Sequence, residues 1–255
     1  MKVGLYGSLS VISAVGSVQI TPPQERTLLA SLAVEAGSAV PVEVIAANVW
    51  GDDPPRTWTG SLWTLAGRLR KRLGPEAPLI VTEPSAYRLA IDPDDVDLRR
   101  FESLLRAGLA AMHAGSRRQA RDLLAEAEQL RRGTPLADIP SARLREAHQH
   151  YLEEKFLTIQ ELRTEADLWL SPPRAASALI PDLRAIADGH PHRETARYLL
   201  MLALFRAGRQ ADAQEEFRRA WAYSRDEHGV APGHDLRELH DRITAGEESL
   251  LHQGE

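Results

Sequence analysis

The chain has 255 residues, of which 43% are hydrophobic and 26% are charged, and its formal net charge is −5 at pH 7. This length suffices for two modest domains or one large domain, and the abundance of Ala, Leu, Arg and Glu favours helix. The absence of cysteine excludes a disulfide framework, a thiolate zinc site and a cysteine nucleophile. No apolar run is long enough to span a bilayer and the N-terminus lacks a signal peptide's apolar core, which predicts a cytoplasmic protein without a membrane partner.

Short strands and then two helices are predicted in the first fifty residues. Apolar residues alternate between positions 3 and 20, with glycines as breaks, and this pattern predicts two or three short antiparallel strands. Two prolines then start a helix that is predicted to run to about residue 37, with Thr21 as its cap. Residues 39–41 are interpreted as a link to a second, shorter helix at residues 42–50.

An amphipathic helix is predicted for residues 57–74. Apolar residues recur there at steps of three and four and so form one stripe, which consists of Trp58, Leu62, Ala66, Leu69 and Leu73. The last two turns are basic and contain no acid, with the cations Arg68, Arg70, Lys71 and Arg72. Cations near a helix C-terminus also complement the helix macrodipole, and ordinary helix chemistry explains most such clusters when they stand alone.

A β-hairpin is predicted after this helix, with β-prone runs at residues 79–81 and 87–91. The order helix, helix, basic helix, hairpin is typical of a winged helix-turn-helix. In that architecture the third helix enters the major groove of DNA and the hairpin wing lies against the backbone or minor groove.

Beyond the hairpin the sequence becomes a series of helices. The acidic residues 92–97 are interpreted as a solvated linker that caps the next helix, in preference to a metal or acid–base site. The predicted helices are residues 98–113, 117–132, 141–170, 175–188, 195–207, 210–223 and 235–245. Residues 101–130 and 195–221 share a helix, Ala-Gly, Arg, helix pattern, which favours a tetratricopeptide-like repeat over a plain helical bundle because close helix approach needs small side chains.

These observations predict a mainly α protein with small β elements. An N-terminal winged helix-turn-helix DNA-binding domain at residues 1–93 is followed by an all-α tetratricopeptide-like domain at residues 94–255. The stretches that carry a family likeness occur in order along the chain: Leu28-Leu29-Ala30, residues 49–55, Arg68-Leu69-Arg70-Lys71, Tyr87-Arg88-Leu89, Val96-Asp97-Leu98, residues 132–138, His190-Pro191, residues 202–210 and Pro232-Gly233. Together they resemble the streptomycete antibiotic regulatory proteins, or SARP family. The form resembled is the small one, with an OmpR-type winged helix and a bacterial transcriptional activation domain of tetratricopeptide type.

The resemblance implies an activator that binds direct repeats at promoters of secondary-metabolite (antibiotic) genes and recruits RNA polymerase with its sigma factor. No G-x-x-x-x-G-K-[ST] motif occurs, so no nucleotide or other cofactor is expected. One winged helix contacts only a few base pairs, so a homodimer on promoter DNA, with head-to-tail protomers, is predicted.

Eleven residues are candidates for DNA contact. We expect Thr64 and Arg68 to approach base edges and Trp63 to contact a thymine methyl group. The remaining candidates, most of them expected near phosphates, are Arg26, Ser61, Arg70, Lys71, Arg72, Thr82, Ser85 and Arg88. The alternative for Arg68 is an ion pair within the protein.

Other functional classes stay open or are disfavoured. Residues 1–95 contain 8 Lys/Arg and 10 Asp/Glu, so the predicted DNA-binding domain is not basic as a whole. The sequence also departs from the family pattern at Gln24, Trp63, Gly67 and Ser85-Ala86. Both observations favour an alternative function, a protein-interaction module that has lost sequence-specific DNA binding. An enzyme is not predicted, and the histidine pairs His148/His150 and His190/His192 are interpreted as surface residues rather than metal ligands. The aromatic residues Trp169, Tyr198, Trp221 and Tyr223 are candidates for a ligand pocket, with helix core as the alternative.

Overall fold

The computed structural model describes residues 1–251. The chain forms two compact units, one built from residues 1–106 and 126–156 and the other from residues 107–125 and the chain from Leu157 onward. Within the described residues, no helix combines the length and the apolarity needed to cross a membrane.

A three-stranded antiparallel sheet opens the first unit, as predicted. Its strands are β1 (Lys2–Gly4), β2 (Ser10–Ser13) and β3 (Gly16–Ser17), in the order β1-β2-β3. Val3 lies opposite Val11, and both side chains are buried, so one face of this small sheet contributes to the core.

Three helices follow the sheet, namely α1 (Pro23–Ala33), α2 (Val42–Trp50) and α3 (Trp58–Leu73), and α3 packs against the other two. The predicted cap at Thr21 is wrong, because Pro22 occupies the N-cap position without a side-chain hydrogen bond. The helix α1 also ends before residue 37. Gly37 adopts a φ of 83° and its N–H donates to the carbonyl of Leu89, which directs the chain away from the helix axis and into a sheet.

A second sheet carries the wing. Residues 39–41, predicted to be a link, form β4 (Ala39–Pro41), which pairs with β6 (Ala86–Leu89), and β6 pairs in turn with β5 (Ile80–Glu83). A strand of three residues is too short to show an alternating pattern, and its partner lies 45 or more residues further along the chain. The β5–β6 hairpin confirms the predicted wing.

The interpretation of residues 92–97 as a solvated linker is wrong for Asp97. Its carboxylate accepts hydrogen bonds from the backbone N–H groups of Leu5 (2.7 Å) and Tyr6 (3.0 Å) and from Arg132 (3.1 Å). The side chain of Asp97 is only 12% exposed, and the adjacent Val96 is fully buried and forms a bridge to Val3. A carboxylate that accepts three hydrogen bonds fixes the start of the next helix onto the N-terminal sheet.

The segment 126–156 belongs to the first unit. The N–H groups of Arg132, Leu136 and Ala137 donate to the carbonyls of Tyr6, Leu5 and Gly7, respectively. The Tyr6 hydroxyl donates to the carbonyl of Leu152 at 3.2 Å, and burial raises the pKa of this hydroxyl. This part of the chain is therefore tied through its backbone to the loop that follows β1.

The second part of the chain is helical, as predicted, with α4 (Asp97–His113), α5 (Arg117–Gln129), α6 (Ala142–Leu170), α7 (Ile180–Gly189), α8 (Glu194–Arg206), α9 (Gln210–His228) and α10 (His234–Thr244). The helix predicted at residues 175–188 is in fact a 3-10 helix, Pro173–Leu179, followed by α7, because Pro181 fits only the first turn of a new α-helix. A Cβ on Gly108 would lie 2.7 Å from Leu124, which is the close helix approach that the repeat pattern indicates. The helix α8 lies at the centre of the second unit, with Leu199–Phe205 buried against α7, α9 and α10.

Candidate nucleic-acid interface

The helix α3 buries one stripe and exposes the opposite face. Its buried side chains are Leu62, Leu65, Ala66, Leu69 and Leu73. Trp58, which was predicted to belong to this stripe, is only half-buried at the first position of the helix, and the preceding residues 51–57 are all exposed. The outward face presents Gly60, Trp63, Thr64, Gly67, Arg68 and Lys71.

Two of the four basic residues of α3 are engaged within the fold. Arg70 donates from Nε and Nη2 to the carbonyl of Ile80 (3.0 and 2.7 Å) and from Nη2 to Oγ1 of Thr82 (2.7 Å). Arg72 donates to the carboxylate of Glu25 at 2.6 Å, and Glu25 is a buried residue of α1. Arg70 therefore fastens the wing to α3, and Arg72 fastens α3 to α1.

The other two basic residues, Arg68 and Lys71, are exposed, and neither has a hydrogen bond or ion pair with any residue among 1–251. They lie three residues apart, so their side chains are neighbours on one face of the helix. Trp63 lies earlier on the helix and is also exposed, over 69% of its surface. Two free cations and a free indole thus form the chemically available part of this face.

The two hydroxyl groups of α3 that were predicted to contact DNA donate hydrogen bonds to backbone carbonyls of the same stretch. Ser61 donates to the carbonyl of Thr57 at 3.2 Å, and Thr64 donates to the carbonyl of Gly60 at 3.0 Å. Side-chain bonds to the carbonyl four residues earlier are common for these residue types in helices. The exposed Thr64 therefore offers its methyl group to a partner more readily than its hydroxyl.

The wing residues are held by neighbouring groups. Arg88 pairs with Glu83 across the hairpin at 2.7 Å, and Thr82 accepts the hydrogen bond from Arg70. Ser85 is exposed at the tip with a φ of 56°, and its carbonyl accepts from the N–H of Val42 at the start of α2. The left-handed conformation favours glycine, which is absent from this tip.

Arg26, the remaining candidate, forms an ion pair with Asp138. Asp138 also accepts a hydrogen bond from the N–H of Leu9 at 2.8 Å. Sequence reasoning missed the acids Glu25 and Asp138 as partners of the predicted DNA-contact arginines. Glu25 and Arg72 are 47 positions apart in the chain, and Arg26 and Asp138 are 112 positions apart, so no local pattern reveals either pair. The only local signal was an acid in the first turn of a helix, at Glu25.

The second unit contains a cavity of 590 Å³ lined by Tyr198, Glu165, Arg242 and neighbouring residues of α8 and α10. The other three aromatic candidates do not line it. Trp169 lies beneath the guanidinium of Arg206 at 4.9 Å, and Trp221 contacts the ring of Phe217. Trp169 is half-buried against the core of the second unit, as the packing alternative expects, whereas Trp221 is 40% exposed and belongs neither to the core nor to this cavity.

The predicted histidine pairs are not accompanied by other metal ligands. His190 and His192 have ring centroids 6.1 Å apart in an edge-on arrangement. Among residues 1–251 there is no group of three or more His, Cys, Asp or Glu side chains that could hold a metal ion.

Two family models match the chain in tandem. Residues 17–89 match the C-terminal domain of transcriptional regulatory proteins, and residues 96–244 match the bacterial transcriptional activator domain. The order of the two matches is the order that the sequence predicts.

Comparisons with known proteins give the same result. Regulatory protein AfsR of Streptomyces griseus is 34% identical over 228 residues, which cover 89% of this chain and 23% of AfsR. Transcriptional regulator RedD of Streptomyces coelicolor is 34% identical over 251 residues, covering 96% of this chain and 71% of RedD. The structure of Mycobacterium tuberculosis EmbR in complex with a low-affinity phosphopeptide superposes with a TM-score of 0.87 at 30% identity, covering 98% of this chain and 67% of EmbR.

The chain therefore spans about a quarter of the length of AfsR but most of RedD. The structure has a winged helix-turn-helix followed by a helical domain, which confirms the predicted fold class. The two matched family models and their order confirm the predicted resemblance. The chain belongs to the SARP family of bacterial transcriptional regulators.

Proposed function

We propose that this chain is a non-enzymatic, cytoplasmic activator that binds promoter DNA of a secondary-metabolite gene cluster and inserts α3 into the major groove. The observation that carries the proposal is the outward face of α3. Arg68 and Lys71 are exposed there without a partner among the described residues, and Trp63 is exposed on the same helix. An uncompensated cationic face on the third helix of a winged helix is what a polyanionic duplex requires.

The proposed roles of these three residues differ. Arg68 reads a guanine through its two parallel N–H groups, since a guanidinium matches the O6 and N7 acceptors of that base. Lys71 contacts a phosphate, because an ammonium group is a point charge without the planar fork of arginine. Trp63 supplies an apolar surface, since its indole has one donor and no acceptor.

The arginines that are engaged within the fold receive a different role. Arg70 and Arg72 set the positions of the wing and of α3, and Arg26 holds the segment around Asp138. A guanidinium has further N–H groups, so a phosphate contact by Arg70 or Arg88 in addition to the internal bond remains part of the proposal.

We further propose that two protomers bind head to tail on direct repeats and that the complex recruits RNA polymerase through its sigma factor. A single α3 reaches only three or four base pairs, which is too few to specify a promoter in a genome. Tandem binding multiplies the discrimination of the two sites and creates one composite surface next to the promoter.

Selection of bound fragments from the source organism's genomic DNA by the full chain, followed by nuclease protection, tests this function. The expected result is a protected region that contains two copies of one short sequence in the same orientation. The Arg218→Ala variant removes an exposed cation from α9, outside the proposed interface, and is expected to protect the same region of DNA as the wild type. Protection of one short half-site at full affinity would contradict the tandem arrangement.

A protein-interaction module without sequence-specific DNA binding is the second candidate. The observation that favours it is the internal use of the Ser61 and Thr64 hydroxyls, which leaves few polar groups on α3 to read bases. Electrophoretic mobility shifts separate the two functions. A chain that shifts random and selected duplexes equally, at the same salt concentration, supports the interaction module.

A further inference from the structure

The outward face of α3 contains two glycines, Gly60 and Gly67, in the interior of a 16-residue helix. Both are exposed, and neither has the positive φ that would require glycine. A Cβ built on either residue meets no other atom within 4 Å. Nothing in the packing of the described chain therefore requires glycine at these positions.

The fold alone favours alanine at both sites. Glycine is the least favourable residue of a helix interior other than proline, because it loses the most backbone freedom on folding. An exposed glycine that has no conformational or packing reason weakens the helix, so its presence on the face proposed to meet DNA points to a role in contact with a partner.

Gly67 forms a gap in the side-chain layer of this face. Residues three and four positions apart are neighbours on a helix, so Trp63, Thr64, Arg70 and Lys71 surround the position that lacks a side chain. The wall on the N-terminal side is apolar. It consists of the exposed Trp63 indole and of Thr64, whose hydroxyl is directed to the carbonyl of Gly60 and leaves the methyl group available.

Only one base presents an apolar group in the major groove, namely thymine with its 5-methyl group. The gap is open on one side and is lined by the Trp63 indole and the Thr64 methyl group. It therefore matches the thymine 5-methyl group in size and polarity. The other base edges present donors and acceptors, which an apolar wall leaves unpaired.

We propose that Gly67 is a specificity-determining residue, and that the gap above it admits the 5-methyl group of one thymine against the Trp63 indole. The inference rests on the proposed promoter-binding function and goes further, because it assigns one base to one position of α3. A Cβ at residue 67 fills the gap and displaces the methyl group.

The test combines one protein variant with one chemical change in the DNA. The probes are a duplex selected from genomic DNA by the full chain and a set of the same duplex in which each thymine in turn is replaced by deoxyuridine, which lacks the methyl group. Affinities of the wild type and of Gly67→Ala are measured on every probe by fluorescence anisotropy. Thermal unfolding of both proteins is followed in parallel.

For the wild type, one deoxyuridine position is expected to weaken binding about fourfold, the value of one buried methyl group. For Gly67→Ala, binding to the thymine duplex falls about tenfold while the unfolding temperature rises by about 2–4 °C, because alanine strengthens the helix. Deoxyuridine at the same position restores Gly67→Ala to within about twofold of the wild type on that probe. Opposite signs for stability and affinity distinguish a contact role from a structural one.

The control is Gly189→Ala, at an exposed glycine with empty space around its Cβ, the last residue of α7. It is expected to leave every affinity unchanged. If Gly67→Ala and the wild type have equal affinities on all probes, the assignment of Gly67 is overturned. The same holds if Gly67→Ala loses equal affinity on the thymine and deoxyuridine probes. Both results leave the proposed DNA binding intact. A wild-type chain that selects no duplex overturns the proposed function, and this inference with it.

Discussion

Arg68 and Lys71 are neighbours on α3 and carry the same charge, yet the chemistry of their side chains predicts different losses. Arg68→Ala should cost about 1–3 kcal/mol on the preferred duplex and relax the preference at one base pair, because a bidentate contact is removed. Lys71→Ala should weaken all duplexes alike and reduce the slope of log affinity against log salt by about 0.9, because one phosphate contact is lost. Titrations at several salt concentrations, on duplexes with each base changed, measure both effects.

The control for this pair is Arg225→Ala, since Arg225 is an exposed arginine of α9 whose removal gives the same change in net charge. An equal loss on every duplex for Arg68→Ala would show that it contacts phosphate. If Arg68→Ala kept the wild-type base preference and affinity, Arg68 would lie outside the interface.

Ser85 adopts a left-handed conformation at the wing tip, with a φ of 56°. Replacing it with glycine relieves the steric strain of a Cβ in that region, so Ser85→Gly should raise the unfolding free energy by about 0.5–1 kcal/mol. Urea denaturation of the two proteins measures the difference. A lower stability of Ser85→Gly would mean that the gain in unfolded-state entropy outweighs the relief of strain.

At the scale of elements, one ion pair links α3 to α1 in addition to the apolar packing between the two helices. Arg72→Ala removes the partner of Glu25, whose side chain is only 5% exposed, and leaves a buried carboxylate without a counterion. We expect a loss of about 2 kcal/mol in the unfolding free energy, less than for a fully buried pair because the Arg72 side chain is 37% exposed. Chemical denaturation of the variant measures this loss.

The second substitution Glu25→Gln, added to Arg72→Ala, removes the unpaired charge. It should recover at least about half of the lost stability, because a neutral amide is less costly to bury than a carboxylate. A double variant as unstable as Arg72→Ala would show that packing of the arginine stem, rather than the charge pair, holds α1 and α3 together.

Glu165 on α6 gives a prediction that depends on pH. Burial raises the pKa of its carboxyl group, and Arg117 opposes the shift only in part. The folded state therefore favours the protonated form, so the contribution of Glu165 to stability is fully present below its unfolded pKa and is lost as the pH rises through the folded value. Glu165→Gln should raise the unfolding temperature at pH 7, and this gain should shrink at pH 4.

The control for Glu165→Gln is Glu227→Gln, the same substitution at an exposed position near the end of α9. It should give no such pH-dependent gain. A Glu165→Gln protein that is less stable than the wild type at pH 7 would mean that the attraction to Arg117 exceeds the cost of burial.

For the whole molecule, the order of its elements was predictable because the hydrophobic periodicity is strong. The apolar repeats that define α2 and α3 lie within single helices, and the structure gives both helices almost the predicted bounds. The strand β4 could not be predicted, because three residues show no period and the partner strand is far away in the chain.

The candidate interface was predictable as a helix face but not residue by residue. Periodicity places Arg68 and Lys71 outward, and they are indeed exposed. It gives no sign that Arg70 and Arg72, on the flanks of the same face, find partners at Ile80 and Glu25. Such pairings depend on tertiary packing, which a local pattern does not encode.

Domain boundaries illustrate the same limit. The structure assigns residues 126–156 to the unit that contains the winged helix, and the bonds of Asp97 and Asp138 show how that segment is attached. A functional boundary near residue 93 stays a prediction. The attachment suggests that a fragment ending there lacks part of the support of its own N-terminal sheet.

The most direct test of the central claim is a comparison of two affinities at about 0.15 M salt, because non-specific binding is already weak there. The full chain is titrated by fluorescence anisotropy against its selected promoter duplex and against a scrambled duplex of the same length and base composition. A promoter-reading α3 predicts binding to the selected duplex at least about 10³-fold tighter than to the scrambled one. Equal affinities for the two duplexes would contradict the account.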